Sequence, residues 1–372
     1  MGTYLPGFKG GGHIRSIKGL VDYLGKDLDF YIICQDRDAD DKEPYKDITT
    51  GAWVKLGNSQ VMYLNSSDFS LLTLKSIFHN LLPDVIYLNT IFSVRETILP
   101  AILGMSLKSK PKVIVAPRGC LDPGALSLKY HKKRVFLQLL KLSRLQKHIL
   151  WHASTITEAD FIRKEFGDVN IMVAQNLPSL PKEIKATRPL KNQGEARMIF
   201  LARIVPIKNL IFLLDILKSI NGKASLTIAG PIEDPKYWDN CQMKLAELTH
   251  VNYTLVGAIE HDQVASLLGE HHFYILPTLG ENFGHSIIEA FDSGLGVIIS
   301  DQTPWKDLER YGVGWDISLE NRSAWVQAVQ ACVDMNNCQF IAMSNKSKSI
   351  RNKFWNNNIA INDNLNLFDF RI

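Results

Sequence analysis

Short apolar and β-branched runs alternate with amphipathic stretches of helical period along most of the chain. The runs predicted as strands are Phe30–Cys34, Val61–Leu64, Asp84–Leu88, Lys112–Ala116, Ser154–Thr157 and Ile171–Ala174 in the first half, and Met198–Ala202, Ser225–Ala229, Tyr253–Val256, Phe273–Pro277 and Val297–Ser300 in the second. Helical patterns between them include Leu71–Leu82, Asn209–Ile220 and Gln263–Glu270. Strands that alternate with helices of about 10–15 residues are typical of βαβ units, whose parallel sheets are covered on both faces. The pattern therefore predicts an α/β protein.

One stretch breaks this alternation and divides the chain. Residues 179–195 contain two prolines and several lysines without an apolar period, which is typical of a linker. The sequence therefore predicts an N-terminal domain over residues 1–178 and a C-terminal domain over 196–340, both doubly wound and facing each other across a cleft. The last segment, 341–372, is rich in Asn and Lys, but its aromatic residues predict a packed helix. These aromatic residues are Phe354, Trp355, Phe368 and Phe370.

Composition narrows the class of protein. With 46% hydrophobic and 22% charged residues among 372, the chain has ordinary globular values. No apolar run approaches the ~18–20 residues that a membrane-spanning helix needs, and no secretory signal is recognisable. The five cysteines are scattered and never spaced as C-x-x-C, which argues against a disulfide framework or a cysteine zinc site. We therefore expect a cytoplasmic protein.

Positive charge is concentrated in one stretch. Between Leu126 and Leu150 the chain has seven basic residues and no acidic one, so the net charge of +4 leaves −3 for the rest. The basic residues are Lys129, Lys132, Lys133, Arg134, Lys141, Arg144 and Lys147. With Leu137, Leu140 and Leu145 they form an amphipathic basic helix, a pattern typical of membrane surfaces. The alternative is a helix that packs on its own sheet with a solvated cationic face. Nucleic acid is a weaker interpretation because no nucleic-acid-binding motif accompanies the patch.

The most specific chemical signal follows the predicted strand that ends at Pro277. A glycine-bearing loop leads from this strand into a helix that begins near Gly284. Ligands of open α/β sheets bind beyond the carboxyl ends of strands, and a helix start offers free N–H groups to phosphate. Glu281 and Glu289 lie roughly 12 Å apart at ~1.5 Å per residue, about the reach from a hexose across a diphosphate to a ribose. Two surface glutamates on a solvated helix are the simpler alternative.

A second signal surrounds the first predicted strand of the C-terminal domain. Arg203 follows the end of that strand, and Lys208 opens the next helix. Both side chains can point into one crevice and neutralise a diphosphate, with charge-assisted bonds worth ~1.5–3 kcal/mol each. An ordinary strand-end arginine and helix-start lysine are the alternative, although a lysine at that position opposes the helix dipole.

A third signal lies near the N-terminus. Three successive glycines, Gly10, Gly11 and Gly12, precede a helical pattern and are followed by His13. Glycines at a helix entrance let the backbone approach a ligand closely. A flexible N-terminal tail is the alternative interpretation.

Together these three signals resemble the family 4 glycosyltransferases, which are retaining, use nucleotide sugars and have the two-domain GT-B fold. The resemblance covers about residues 5 to 340 and is closest to bacterial O-antigen and exopolysaccharide enzymes. Further matching segments are Ala116–Ala125, Thr155–Glu158, Ala229–Asp234 and Ser300–Trp305. Relatives have an apolar strand directly before the glycine loop, whereas here only five residues precede it. We therefore expect a first strand that is missing or truncated.

The resemblance implies a role for each residue of the three signals. It implies that Glu281 binds hydroxyls of the donor sugar, that Glu289 holds the ribose, and that Arg203 and Lys208 hold the diphosphate. Backbone groups of Gly11 and Gly12 in one domain, and of the helix start in the other, would contact the donor. The helix-start residues are Asn282, Phe283, Gly284 and His285. Arg118 would lie near the reacting centre, and His13 is a candidate contact for acceptor or phosphate.

The implied reaction needs neither a protein nucleophile nor a cofactor. In the family mechanism the departing phosphate oxygen accepts the proton of the incoming hydroxyl, so the protein orients the reactants and stabilises the leaving group. We predict no metal requirement, because no Asp-x-Asp motif stands where a metal-dependent transferase needs one. Asp38 and Asp40 are interpreted as solvated surface. The implied partners are a UDP- or GDP-sugar, a polyprenyl-diphosphate-linked glycan acceptor and the inner membrane surface.

Other classes of protein compete with this interpretation. A non-catalytic two-lobed protein that binds a sugar or nucleotide would also have two α/β lobes, but it leaves the paired glutamates and the two cations unexplained. A GT-B relative with different chemistry, such as an epimerase or a phosphorylase, is a further alternative. The sequence does not distinguish the nucleotide, the sugar, the acceptor hydroxyl or the oligomeric state.

Overall fold

The computed structural model describes residues 1–39, 41–127, 129–180, 188–354 and 357–369, without the side chains of 352–354 and 357. The chain forms two compact units. Unit 1 comprises Met1–Leu180 together with Asn357–Ile372, and unit 2 comprises Pro181–Asn356.

The strands are short, as expected for βαβ units. They are β1 (Phe30–Gln35), β2 (Trp53–Leu56), β3 (Ser59–Leu64), β4 (Val85–Asn89), β5 (Lys112–Ala116), β6 (Leu150–Ala153), β7 (Ile171–Val173), β8 (Glu195–Leu201), β9 (Lys223–Ala229), β10 (Val251–Gly257), β11 (Phe273–Leu276), β12 (Gly296–Ser300) and β13 (Gly314–Ile317).

Helices connect the strands and close the chain. They are α1 (Gly12–Leu24), α2 (Leu71–Leu81), α3 (Leu99–Ser106), α4 (Pro123–Ser127), α5 (Tyr130–Leu142), α6 (Ile156–Phe166), α7 (Leu210–Leu217), α8 (Pro235–Ala246), α9 (His261–Gly269), α10 (His285–Asp292), α11 (Leu308–Tyr311), α12 (Arg322–Asp334), α13 (Asn337–Phe354) and α14 (Asn357–Phe368). A π-helix covers Val94–Ile98, and single 3₁₀ turns cover Leu145–Lys147 and Pro206–Lys208.

Unit 2 is a doubly wound α/β unit with one parallel sheet. Its six strands lie in the order β10-β9-β8-β11-β12-β13. The chain starts at β8, winds outward through β9 and β10, and then returns to β11 on the other side of β8. This is the topological switch point at which ligands of such sheets bind. Every residue of β11 and β12 is buried, in agreement with the continuous apolar runs that predicted them.

The described residues of unit 1 form two sheets. One has the parallel strands β4-β5-β6-β7, and the other has the order β1-β3-β2, in which β2 runs antiparallel to β3. The N-terminal residues lie alongside β1, since the Met1 amino group donates to the Ile33 carbonyl at 2.8 Å and the Gln35 N–H donates to the Gly2 carbonyl at 3.0 Å.

Three features correct the sequence predictions. The strand predicted at Ser154–Thr157 is wrong, because β6 ends at Ala153 and the Thr155 hydroxyl accepts from the Glu158 N–H as the cap of α6. Strands β2 and β13 were not predicted. In β2 the side chains are half-buried or exposed, so it lacks the apolar run used to find the others.

The described residues of the C-terminal segment form two helices that belong to different units. Helix α13 packs on α10 and β12 of unit 2, whereas α14 belongs to unit 1. Of the four predicted aromatic anchors, Phe368 is buried against the rings of Phe30 and Tyr87 at centroid distances of 6.1 and 5.4 Å. Trp355, Phe370 and the side chain of Phe354 lie outside the described residues.

Candidate functional site

The loop between β11 and α10 is held rigidly at the carboxyl end of the unit 2 sheet. The Thr278 hydroxyl donates to the Ile207 carbonyl at 3.0 Å, and the Ser300 hydroxyl donates to the Thr278 carbonyl at 2.5 Å. The backbone N–H of Glu281 donates to the carbonyl of Gln302 at 2.9 Å. These bonds tie the loop to the 3₁₀ turn that follows β8 and to the end of β12, and they fix the direction in which the Glu281 side chain leaves the backbone.

Helix α10 begins at a glycine that no other residue replaces without strain. Gly284 has φ of 81°, and a Cβ atom there would lie 2.7 Å from Cδ1 of Ile287. The preceding Phe283 is buried, with its carbonyl accepting from the Trp305 indole at 2.6 Å. The left-handed turn therefore aims the first N–H groups of α10, and the positive end of its dipole, past the carboxyl ends of the strands.

The residues predicted to bind the donor occupy distinct places around this helix start. Phe283 and His285 are both buried, with ring centroids 4.8 Å apart, so their side chains pack under the loop. Asn282 and Gly284 lie in the loop, and the side chain of Glu289 is 17% exposed one turn into α10.

Lys208 and Glu281 form an ion pair that the sequence did not predict. The Lys208 ammonium donates to Oε2 of Glu281, and the two side chains are only 12% and 18% exposed. Lys208 closes the 3₁₀ turn after β8, which brings it to the loop after the neighbouring strand β11. Lys208, which was predicted to bind the diphosphate, and Glu281, which was predicted to bind the sugar, are therefore in direct contact.

Arg203 and Glu289 also have ionic neighbours. Arg203 donates to Glu233, in the loop after β9, at 2.8 Å in a half-exposed pair. The Oε1 atom of Glu289 lies 3.7 Å from Nδ1 of His261, the first residue of α9. Glu233 and His261 were not predicted as site residues, although each follows the end of a predicted strand closely.

In unit 1 the glycine segment forms an ordered turn. The buried carboxylate of Asp38 accepts from the backbone N–H groups of Phe8 and Lys9 at 2.7 and 3.0 Å. The interpretation of Asp38 as solvated surface is therefore wrong, while Asp40 lies outside the described residues. Gly11, with φ of 70°, caps α1, whose first residue is Gly12, and the His13 ring lies 3.4 Å from the Thr3 hydroxyl.

Arg118 lies in a polar cluster at the carboxyl ends of β4 to β7. It donates to Oδ1 of Asn89 at 3.2 Å, to the Tyr87 hydroxyl at 2.7 Å and to Oδ1 of Asn176. The Tyr87 hydroxyl is in turn 2.6 Å from Nδ1 of His152, whose Nε2 is 2.7 Å from the Ala174 carbonyl. Burial, with the nearby Arg118 charge, lowers the pKa of His152 to about 3, and burial raises the pKa of Tyr87 to about 12.

The basic helix α5 turns its predicted apolar face inward. Leu137, Leu140 and Leu145 are all buried in the unit 1 core, as expected from the alternative in which this stretch packs on its own sheet. The outward face instead carries Val135, Leu139 and Leu142, which are 56%, 61% and 79% exposed.

The seven cations of this stretch have three different environments. Arg134 and Lys141 pair with Glu165 at 3.0 and 2.7 Å, and Lys133 donates to the Ala125 carbonyl at 2.6 Å. The others are exposed and form no ion pair with any residue that the structure describes. These are Lys129, Lys132, Arg144 and Lys147.

The described part of the chain contains neither a candidate metal cluster nor a helix that could span a membrane. No cluster of three or more His, Cys, Asp or Glu side chains is arranged to hold a metal ion there. Nor does any described helix combine the length and the apolar character required to cross a membrane.

The sequence of unit 2 is similar to that of a transferase family. Residues 181–346 match the family model described as "Glycosyl transferases group 1". The phosphatidylinositol N-acetylglucosaminyltransferase gpi3 subunit of Schizosaccharomyces pombe is 29% identical over 132 residues, which is 35% of this chain and 27% of that protein. The match thus spans little more than a quarter of this curated relative.

Comparison with solved structures covers nearly the whole chain. A sucrose-phosphate synthase from Thermosynechococcus elongatus superposes with a TM-score of 0.68 at 14% identity, covering 96% of this chain and 93% of that one. Anabaena HepE in complex with UDP and glucose gives 0.67 at 13%, covering 98% and 97%. WaaG, a glycosyltransferase involved in lipopolysaccharide biosynthesis, gives 0.63 at 10%, covering 99% and 98%. The predicted GT-B fold with two Rossmann-like α/β domains is therefore confirmed.

Proposed function

We propose that the protein is a retaining glycosyltransferase that moves a sugar from a UDP- or GDP-sugar to a glycan carried on a polyprenyl diphosphate, in the synthesis of a surface polysaccharide. The observation that carries the proposal is the convergence of the α10 start, Lys208, Glu281 and Glu289 at the switch point of the unit 2 sheet. The match of this unit to group 1 glycosyl transferases supports it.

Each part of this site suits one part of a nucleotide sugar. The α10 start and the Lys208 ammonium provide N–H donors and positive charge for a diphosphate. Glu281, oriented by Lys208, accepts hydroxyl protons from the sugar, and Glu289 accepts them from the ribose. Arg203 is more exposed and contacts the outer edge of the diphosphate. The solved relatives that contain UDP or UDP-sugars make this class of donor the first to test.

The proposed step is a displacement on the face that the leaving group departs from. The bond between the anomeric carbon and the phosphate oxygen breaks with its electron pair going to the phosphate, and the acceptor oxygen bonds the same carbon from the same side. The acceptor proton passes to the departing phosphate oxygen. Lys208 and the α10 dipole stabilise the negative charge that develops there. Glu281 is held by Lys208 and acts as a sugar ligand, not as a nucleophile.

The experiment that tests the proposal separates donor binding from transfer. The full chain is incubated with UDP-glucose, UDP-N-acetylglucosamine or GDP-mannose in EDTA, with a prenyl-diphosphate-linked sugar as acceptor. We expect a product of retained anomeric configuration. The E281Q variant should keep its affinity for UDP and lose transfer. The exposed Glu309 in α11 provides a matched control, since Glu309→Gln should change neither quantity. Binding of a nucleotide sugar without transfer to any acceptor would instead identify a two-lobed binding protein.

We further propose that the outward face of α5 rests on an anionic membrane surface. Val135, Leu139 and Leu142 are spaced i, i+4 and i+7 and form one exposed apolar row, with Lys132 and Arg144 near its two ends. A basic amphipathic face of this kind binds bilayers by inserting apolar side chains while cations contact lipid phosphates, at ~1 kcal/mol per cation. Such a face would bring the enzyme to a lipid-linked acceptor.

Sedimentation with vesicles tests this surface. Binding should require anionic lipid and should weaken as salt is added, because salt screens the attraction between the exposed cations and the lipid phosphates. The double change Leu139→Ser and Leu142→Ser should abolish binding to vesicles containing phosphatidylglycerol. Leu72→Ser provides the control, because Leu72 in α2 is equally exposed at 79% but has no basic surroundings of this density. Equal loss in both variants would contradict the assignment.

A further inference from the structure

The cluster around Arg118 in unit 1 has a feature that its hydrogen bonds do not explain. Arg118 is a half-buried cation whose three described bonds all go to neutral groups, namely two amide oxygens and a phenol. No carboxylate among the residues that the structure describes forms an ion pair with it. A charge withdrawn from water is costly unless an opposite charge compensates it.

The directions of the bonds show that Tyr87 and His152 are neutral beside the Arg118 cation. An arginine only donates, so the Tyr87 oxygen accepts from Arg118 and the Tyr87 proton goes to Nδ1 of His152. His152 therefore carries its proton on Nε2 and donates it to the Ala174 carbonyl, which only accepts. The imidazole is neutral in this arrangement, in agreement with its low pKa.

The acidic residue of the cluster is engaged elsewhere. Glu158 is buried, and its carboxylate accepts from the Gly119 N–H at 2.7 Å and from the N–H and hydroxyl of Ser154 at 2.8 Å. It thereby orders the Arg118–Gly119 turn, in which Arg118 has φ of 56°. A left-handed backbone conformation is strained at a non-glycine residue, and the bond from the Gly119 N–H to Glu158 helps to hold it here.

The guanidinium retains donors for a ligand. It has five N–H groups, and its three described bonds leave one on each terminal nitrogen. Carboxylate and phosphate oxygens are the acceptors that engage such a pair in a two-bond contact. The cluster also lies at the carboxyl ends of β4 to β7, where ligands of α/β sheets bind.

We propose that Arg118, clamped by Tyr87, Asn89 and Asn176, is an oxyanion-binding site of unit 1 that takes a phosphate group. Identification of this phosphate with the diphosphate of the lipid-linked acceptor rests on the proposed function. The binding of phosphate itself does not, so the two can fail separately.

The decisive variant is Asn176→Asp, because it supplies an internal counter-ion without changing the shape of the side chain. Asn176 is buried and in contact with the guanidinium. Titration of the full chain with inorganic pyrophosphate, in saturating UDP to occupy the proposed donor site, should show at least tenfold weaker binding for N176D. The melting temperature should be unchanged or higher. If Arg118 had only a structural role, N176D would gain stability without losing affinity for pyrophosphate.

Two further variants and a second probe complete the test. R118Q should lose pyrophosphate binding, and Asn252→Asp, at an exposed position of β10, should change nothing. Farnesyl diphosphate that binds more tightly than pyrophosphate would identify a prenyl diphosphate as the source of the anion, whereas equal affinity would identify a free phosphate. Pyrophosphate binding by N176D or by folded R118Q at the level of the unmodified protein would overturn the proposal. If the unmodified protein bound pyrophosphate through Arg118 but did not bind UDP, only the proposed function would be overturned.

Discussion

The ion pair between Lys208 and Glu281 gives a quantitative test of the proposed donor site. Replacement of Lys208 by alanine leaves the Glu281 carboxylate, which is only 18% exposed, without its partner. Exposed pairs contribute ~0.2–1 kcal/mol and loss of one partner of a buried pair costs ~3–5 kcal/mol, so we expect a loss of about 1–3 kcal/mol in the free energy of unfolding.

The same substitution should weaken nucleotide binding. A charge-assisted hydrogen bond to phosphate contributes ~1.5–3 kcal/mol, which corresponds to roughly 10–150-fold in the dissociation constant for UDP. E281Q is expected to behave differently, because it frees Lys208 from its carboxylate and leaves the cation available to the diphosphate. Its affinity for UDP should be equal to or tighter than that of the unmodified protein.

Urea unfolding and calorimetric titration with UDP measure these two effects. Lys223→Ala is the matched control, since Lys223 pairs with Glu195 at 3.2 Å but is 85% exposed. Its loss should change the free energy of unfolding by less than about 0.5 kcal/mol and leave UDP binding unchanged. If K208A matches K223A in both measurements, Lys208 is an ordinary surface lysine and the assignment of the diphosphate site is wrong.

Three further predictions concern other parts of the molecule. Burial lowers the pKa values of His152 and His272 to about 3 and 4, so below pH ~6.5 the unfolded chain takes up protons that the folded chain does not. As the pH falls, each histidine should therefore reduce the free energy of unfolding by ~1.4 kcal/mol per pH unit until its folded pKa is reached. Urea unfolding at pH 7, 6 and 5 measures this slope, and His152→Gln should reduce it. Gly284→Ala should lower the free energy of unfolding by ~1–2 kcal/mol and should also weaken UDP binding. Gly257 has a similar φ of 78°, but no atom lies within 4 Å of a Cβ added there, so Gly257→Ala should lower the free energy of unfolding alone. His261→Ala should raise the KM for the donor severalfold with little change in kcat, because His261 lies beside Glu289 and not beside the reacting sugar; a fall in kcat alone would contradict this role.

The sequence predicted unit 2 well because its physical determinants are local. Strands buried on both faces appear as continuous apolar runs, and the switch from β11 through a glycine loop to α10 follows from residues next to each other in the chain. The contacts that define the site are not local. Lys208 and Glu281, like Arg203 and Glu233, meet only because β8 has neighbours on both sides, which no spacing along the chain discloses.

Unit 1 was predicted less well, for two separate reasons. Strand β6 contains His152, a polar residue that is neutral and buried only because Tyr87 and Ala174 complete its hydrogen bonds, so the strand was predicted four residues too late. In α5 apolar residues occupy both faces, and helical periodicity does not determine which of two apolar rows packs on the sheet.

The cations proposed to bind phosphate have different partners in the two units. In unit 2, Lys208 and Arg203 are each paired with a glutamate, so part of their positive charge is already compensated before the proposed diphosphate binds. In unit 1, Arg118 donates only to neutral groups among the residues that the structure describes, and the nearby His152 is uncharged, so an anion bound there would neutralise a charge that no described ion pair compensates. A cation whose charge is partly compensated binds an anion less tightly, which suits a nucleoside diphosphate that would leave after the proposed reaction. An uncompensated one favours retention of a group that takes no part in bond breaking, as the phosphate of a carrier would. The different partners of these cations are therefore consistent with a donor site in unit 2 and an acceptor-anchoring site in unit 1.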